Sequence, residues 1–135
     1  DVLFASCNVF GNKHSFLIDS GAEKSLIPVN AVPASLIVPC ETKLFGVNNQ
    51  PIPVYGQIKI SLNVPALRRS YTVNFIVTES IPILGADFIR SSGLILNMQQ
   101  RTLIDPETKF QFNLESRKPL PSYNIEAKVS LHPCL

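Results

Sequence analysis

The residues of this chain whose types and order could do chemistry stand together in Phe16-Leu17-Ile18-Asp19-Ser20-Gly21-Ala22. Three apolar residues lead to a carboxylate. A carboxylate directly after an apolar strand is poorly placed for the core, because burying a lone charge is costly. Ser20 supplies a hydroxyl that can bridge to neighbouring backbone, and Gly21 lets the backbone approach a ligand or a second chain closely. Asp19 presented in this way could act on a ligand. The same residues also suit an Asx-type turn at a strand end, which is a common structural use. Asp-Ser-Gly by itself leaves both readings open.

The surrounding sequence must supply strands to hold this turn. Eleven prolines and frequent Val, Ile, Thr and Phe predict short strands joined by turns. Residues 2–10 read as an opening strand, 11–13 as a turn, and 15–19 as a short apolar strand ending on the charge. Leu26-Ile27-Pro28 begins another extended piece before the Pro-rich stretch 32–39. Residues 42–62 read as a long hairpin turning at Gly46-Val47-Asn48-Asn49-Gln50. Its return arm alternates Ile58, Ile60 and Leu62 with Gln57, Lys59 and Ser61, the period of a half-buried strand. A second hairpin turns near Arg68-Arg69, and Tyr71, Val73, Phe75 and Val77 alternate on its return. Residues 81–84 read as a buried strand, and 86–92 as the best helix, stopped by Gly93. Residues 94–96 and 101–104 are predicted strands, and Asp105-Pro106-Glu107-Thr108 turns into 109–114. From Glu115 the chain changes character, and Arg117-Lys118-Pro119-Leu120-Pro121-Ser122 reads as a linker. The expected division is a domain over residues 1–114 and a tail, or a linker to a following domain, over 115–135.

Three features together carry a resemblance. Asp-Ser-Gly-Ala after an apolar triplet resembles the active-site motif of aspartic proteases. Ile83-Leu84-Gly85-Ala86-Asp87-Phe88 resembles that family's second signature, in which two apolar residues and a Gly precede the one helix. Residues 46–55 lie where the family places its flap, a hairpin that closes over substrate. Residues 49–56 and 83–96 look especially like proteases of long-terminal-repeat retrotransposons, and the likeness spans roughly residues 2–114. It implies an all-β, retropepsin-like closed barrel or sandwich with a flap hairpin and one short helix in its C-terminal half.

The resemblance also implies a mechanism and a set of roles. In aspartic proteases two carboxylates share one proton, because like charges held close together cannot both ionise. The charged one takes a proton from a bound water, and the other hydrogen-bonds the developing oxyanion. No cofactor, metal or covalent intermediate is implied, and activity is expected to peak on the acid side of neutral. This chain has one Asp-Ser-Gly, so the partner of Asp19 is expected to be Asp19 of a second copy. Ser20 and Gly21 would support the dyad. Leu17, Ala22, Glu23, Lys24, Ile81 and Ile83 would line the cleft, although Ile81 and Ile83 read nearly as well as plain core, and Val47, Asn48 and Asn49 would form the flap tip over an extended, apolar polypeptide substrate. Many relatives have Gly-Arg-Asn or Gly-Arg-Asp where this chain has Gly85-Ala86-Asp87, so the Arg that braces the active-site loop is missing; Arg90 could pair with Glu23 instead or equally stand as a solvated charge. The expected activity is cleavage of a retroelement polyprotein, in the cytoplasm or within virus-like particles. A cellular protease with a host substrate and an inactive dimerisation module of the same fold are the alternatives.

Composition narrows the remaining classes. Hydrophobic residues make up 45% and charged residues 16%, below the usual quarter. Together with a positive mean hydropathy of +0.18 this suggests association through an apolar interface. A net charge of +2 is too small to suggest nucleic-acid binding by this domain, and no apolar run approaches the length of a membrane span. Cys7, Cys40 and Cys134 form no zinc pattern with His14 and His132, and read as free thiols in a reducing compartment. Asp87 reads as a helix-start residue, Asp105 and His14 as turn residues, Arg68-Arg69 as a solvated turn, and Tyr55 and Tyr71 as packed strand aromatics.

Overall fold

The computed structural model describes residues 2–118 and 130–132. The opening hairpin joins β1 (Val2–Val9) to β2 (Asn12–Ile18), with Leu3 opposite Ile18 and Val9 opposite Asn12. Its turn is Phe10-Gly11, at φ values of 49° and 78°. The turn falls one residue earlier than predicted, because a two-residue turn with positive φ matches the twist of paired strands. β3 (Leu26–Pro28) follows, and then a small hairpin of β4 (Lys43–Phe45) and β5 (Pro51–Ile52). β6 (Val54–Val64) and β7 (Arg69–Thr78) form the longest hairpin, paired from Val54–Thr78 to Val64–Arg69, with Arg68 left-handed in its turn.

The long hairpin expected over 42–62 is therefore two units. Pro53 cannot donate to a ladder and separates β5 from β6. β6 then pairs with β7, across a bulge between Val54 and Gly56. The predicted alternation on β6 holds: Ile58, Ile60, Leu62 and Val64 are all buried, each contributing roughly 1.5–3 kcal/mol.

β8 (Ile83–Leu84) is shorter than the predicted 81–84, with Ile81 and Pro82 only half-buried. The helix α1 (Ala86–Ser92) ends at Gly93, whose φ of 72° is left-handed and disfavoured for side chains. Beyond it, β9 (Ile95–Asn97), β10 (Thr102–Ile104) and β11 (Gln111–Asn113) make a separate three-stranded sheet. β12 (Glu115–Arg117) pairs with β1, Val2 opposite Arg117, so the strand order continues three residues past Leu114. β13 (Ser130–His132) pairs with β4. Pro119 to Ser122 of the predicted linker, and Cys134, lie outside the described residues.

The main sheet runs β12-β1-β2-β8-β3-β7-β6, and a β1–β6 contact at Asn8 and Asn63 closes it into a ring. This all-β ring with one short helix among the described residues is the architecture expected. Phe16, Phe75 and Phe88 are fully buried within it, with the Phe16 and Phe75 rings 5.8 Å apart.

One polar network was not legible in the sequence. Asp105 is 1% exposed and accepts hydrogen bonds from the Tyr71 hydroxyl at 2.6 Å, Arg69 at 3.0 Å and the Glu107 N–H at 2.8 Å. The Tyr71 bond, reinforced by the Glu107, Arg69 and Thr108 donors, outweighs burial and lowers the Asp105 pKa to about 2. Burial and the same bond push the Tyr71 hydroxyl up, so the proton stays on the phenol. Asp105 is thus more than a turn residue. Arg69 also reaches Glu107 at 2.8 Å, while Arg68 stacks over Phe110, so neither arginine is simply solvated.

Candidate active site

The topology fixes where Asp19 stands. β8 lies between β2 and β3, parallel to β2 with Leu17 opposite Ile83 and Ile18 opposite Leu84, while Leu26 of β3 pairs with Ile83 from the other side. Residues 19–25 join β2 to β3, so they must cross over the end of β8. Asp19 is the first residue of that crossing, and its N–H donates to the Leu84 carbonyl at 3.0 Å. The Ala22 N–H closes the turn on the Asp19 carbonyl at 3.1 Å, and the Gly21 N–H donates to Asp19 Oδ1 at 3.0 Å. The Asx-type turn and the carboxylate presented at a loop are the same structure.

The crossing rests on the second signature. Ala86 N–H donates to the Ala22 carbonyl at 2.7 Å, and Asp87 N–H to the Glu23 carbonyl at 3.3 Å. Gly85 is required for this approach: a Cβ there would lie 2.5 Å from the Ala22 carbonyl oxygen and 2.8 Å from that of Lys24.

Ser25, 0% exposed, ties these segments together. Its hydroxyl donates to Asp87 Oδ1 at 2.7 Å and accepts the Gly85 N–H at 3.0 Å, while its own N–H donates to Asp87 Oδ2 at 3.1 Å. Asp87 also accepts from the Phe88 N–H at 2.8 Å, as its helix-start position predicts. The brace for the loop is thus the Asp87 carboxylate. Among the described residues no ion pair joins Arg90 to Glu23. Sequence reading missed Ser25: nothing local marks it, and its partner is 62 residues away.

The expected cleft residues divide into two groups. Leu17, Ala22 and Ile83 are 2%, 1% and 0% exposed, so they present no open pocket wall. They share one apolar cluster with Leu26, Ile76 and Leu44 of β4, and Ile52, Val54 and half-buried Ile81 pack at its margin. The β4–β5 hairpin therefore sits on the floor beside the loop. Ser20, Gly21 and Glu23 are exposed, and Asp19 and Lys24 are half-buried. Asn48 and Asn49 are exposed at the hairpin tip with φ of 70° and 57°, the left-handed geometry that Asn tolerates. Val47 belongs to the same 3-10 turn; its side chain lies outside the described residues.

A cavity of about 280 Å³ opens behind the loop, between Lys24, Asp87 and Ser91 on one side and Lys59 and Asn74 on the other; Asp19 does not line it. Among the described residues no cluster of three His, Cys, Asp or Glu is arranged to hold a metal ion, and no helix is long and apolar enough to cross a membrane. Burial pushes the free Cys7 thiol up to about 12, and Cys40 is also free.

Comparison with known proteins adds two findings. A model of the retroviral aspartyl protease family matches residues 5–97, from β1 through the second signature. The retroviral protease-like domain of Ddi1 from Leishmania major superposes with a TM-score of 0.70 at 16% identity, over 88% of this chain and 98% of that one. No curated protein matches the sequence. The structural match bears on the fold, and the retropepsin-like architecture expected from sequence is the one found.

Proposed function

Because the chain belongs to the retroviral aspartyl protease family, we propose that it is one half of a homodimeric aspartic endopeptidase, with Asp19 as catalytic carboxylate and a retroelement polyprotein as substrate. The fate of the other aspartates is the observation that carries the reading. Asp87 is held by Ser25 and Phe88, and Asp105 by Tyr71, Arg69 and the Glu107 backbone. Asp19 stands on a half-buried loop at a strand crossing. A second carboxylate for a dyad is then best supplied by Asp19 of a second copy, across a two-fold axis.

In such a pair the ionised Asp19 would take a proton from water, and its protonated twin would hydrogen-bond the carbonyl oxygen under attack. Ser20 and Gly21 would keep the two loops in register, with the Gly21 N–H holding one oxygen of Asp19 in place. The tip at Asn48 and Asn49 would close over the bound peptide. A second reading, a cellular protease with a host substrate, draws support from the occurrence of a similar domain in Ddi1 of Leishmania major.

Cleavage of peptides with apolar residues flanking the scissile bond tests the reading. Wild type should cut them, and Asp19→Asn should lose at least about 10²–10⁴-fold in kcat while unfolding at the same temperature. An Asp19→Asn chain that cleaves as fast as wild type refutes the enzyme assignment and leaves a binding or dimerisation module. Comparing retroelement and host polypeptides as substrates separates the two protease readings.

A further inference from the structure

The small sheet β13-β4-β5 has an unexpected occupant. β4 pairs on one edge with β5, Leu44 opposite Ile52 and Phe45 opposite Pro51. On its other edge it pairs antiparallel with β13, Ser130 opposite Phe45, Leu131 opposite Leu44 and His132 opposite Lys43. Residues 130–132 have thus been added as a strand to the hairpin whose Leu44 shares a buried cluster with Leu17 and Ala22.

The burial of Leu44 locates this edge. Leu44 is buried in the cluster that contains Leu17 and Ala22, which flank Asp19 in sequence, and Ile83 beneath the crossing. An extended peptide laid along β4 in place of β13 therefore runs over the same apolar floor as the catalytic loop. Strand addition draws its affinity from main-chain hydrogen bonds, which any extended peptide can offer, and its specificity from pockets for alternate side chains. An edge able to take residues 130–132 can take other extended peptides.

We propose that residues 130–132 occupy this edge of β4 as an intramolecular competitor of the extended substrate. The inference rests on the endopeptidase reading for the identity of what is displaced. A three-residue strand is weak alone, but tethering raises its effective concentration to about the millimolar range.

The test uses the full chain carrying Asp19→Asn, so that a bound peptide is not cut. Ser130→Pro with Leu131→Pro removes two consecutive N–H groups. Because successive residues of a strand point their N–H groups to opposite edges, one of the two must face β4. Binding of a fluorescein-labelled peptide with apolar central residues is read by anisotropy, and hydrogen exchange is followed over residues 43–45. If residues 130–132 hold the edge about two-thirds of the time, the proline variant binds the labelled peptide about threefold more tightly. Exchange over 43–45 should become faster in that variant, and a synthetic peptide of residues 126–135 added in excess should restore protection and displace the labelled peptide. Equal affinity in the two proteins, or failure of the added peptide to compete, overturns the proposal. Failure of the unsubstituted chain to cleave any peptide instead refutes the endopeptidase reading, while the anisotropy and exchange results still decide whether the edge of β4 takes peptide.

Discussion

Adding one methyl group at Gly85 should uncouple activity from folding. The alanine Cβ would stand 2.5 Å from the Ala22 carbonyl oxygen and 2.8 Å from that of Lys24. Both obstacles are backbone, so no side chain can rotate away. Ordinary contact begins near 3.4 Å, so relief at Ala22 requires about 0.9 Å of movement. That carbonyl accepts the Ala86 N–H at 2.7 Å, and the Ala22 N–H closes the turn on Asp19. A shift there is passed directly to the residue that positions the carboxylate.

Overpacking of this kind costs about 1–3 kcal/mol, a fraction of the stability of a domain this size, so Gly85→Ala should still fold. A misplacement of about 1 Å in a reacting group costs on the order of 10²-fold in rate. Urea unfolding and kcat on one peptide, measured on the same preparation, check both numbers. If Gly85→Ala unfolds at the wild-type urea midpoint and cleaves within about threefold of the wild-type rate, the close packing of Gly85 on Ala22 and Lys24 does not set the position of Asp19.

Specific activity per chain should fall on dilution and recover on concentration, read as initial rate across a dilution series; activity strictly proportional to chain concentration at every dilution would contradict a dyad shared between two copies. The folded-state pKa of Asp105 is depressed from 3.8 to about 2, so its stabilising contribution is present above pH 4 and is lost as the pH falls towards 2. Urea unfolding of wild type and Tyr71→Phe between pH 2 and 6 should show a shallower acid slope in the variant, since the hydroxyl is the chief cause of the shift. Gly93→Ala meets no atom within 4 Å and pays only for its left-handed φ, so it should lose about 1–2 kcal/mol of stability with KM unchanged.

Elements with strict local signals were legible in the sequence. Apolar alternation placed β6 and β7, and the pattern from Ala86 to Gly93 placed α1 with its stop, because burial period and left-handed caps are written in adjacent residues. The placing of Asp19 outside the core, half-buried where the chain leaves β2, was legible because a charge at the end of an apolar strand conflicts with core packing. Contacts between distant segments were not. Ser25 looks like any small polar residue until Asp87 is folded against it, and Asp105 reads as a turn residue until Tyr71 and Arg69 close over it. The shared burial of Leu17, Ala22 and Ile83 was hidden for a similar reason: sequence shows that they are apolar, but not that Leu44 lies in the same cluster.

The absent arginine shows how the two halves of the site divide their mechanical roles. Where many relatives would place a guanidinium beside the loop, this chain has Ala86, and the Asp87 carboxylate takes up the Ser25 hydroxyl and N–H from below. Ser25 is fully buried and Asp87 half-buried, so these charge-assisted bonds are partly shielded from water, and losing one partner costs about 1–3 kcal/mol. The loop floor is therefore stiff. The hairpin tip is built in the opposite way: Asn48 and Asn49 are exposed, hold left-handed φ without glycine, and gain little from packing. A stiffly braced carboxylate loop paired with a lightly held hairpin tip would suit the proposed reaction, which needs fixed acid–base geometry and accepts variable peptide sequences. It also assigns the two kinds of defect to different constants. Substitutions at Ser25, Gly85 or Asp87 should act on kcat, and substitutions at Asn48 or Asn49 on KM.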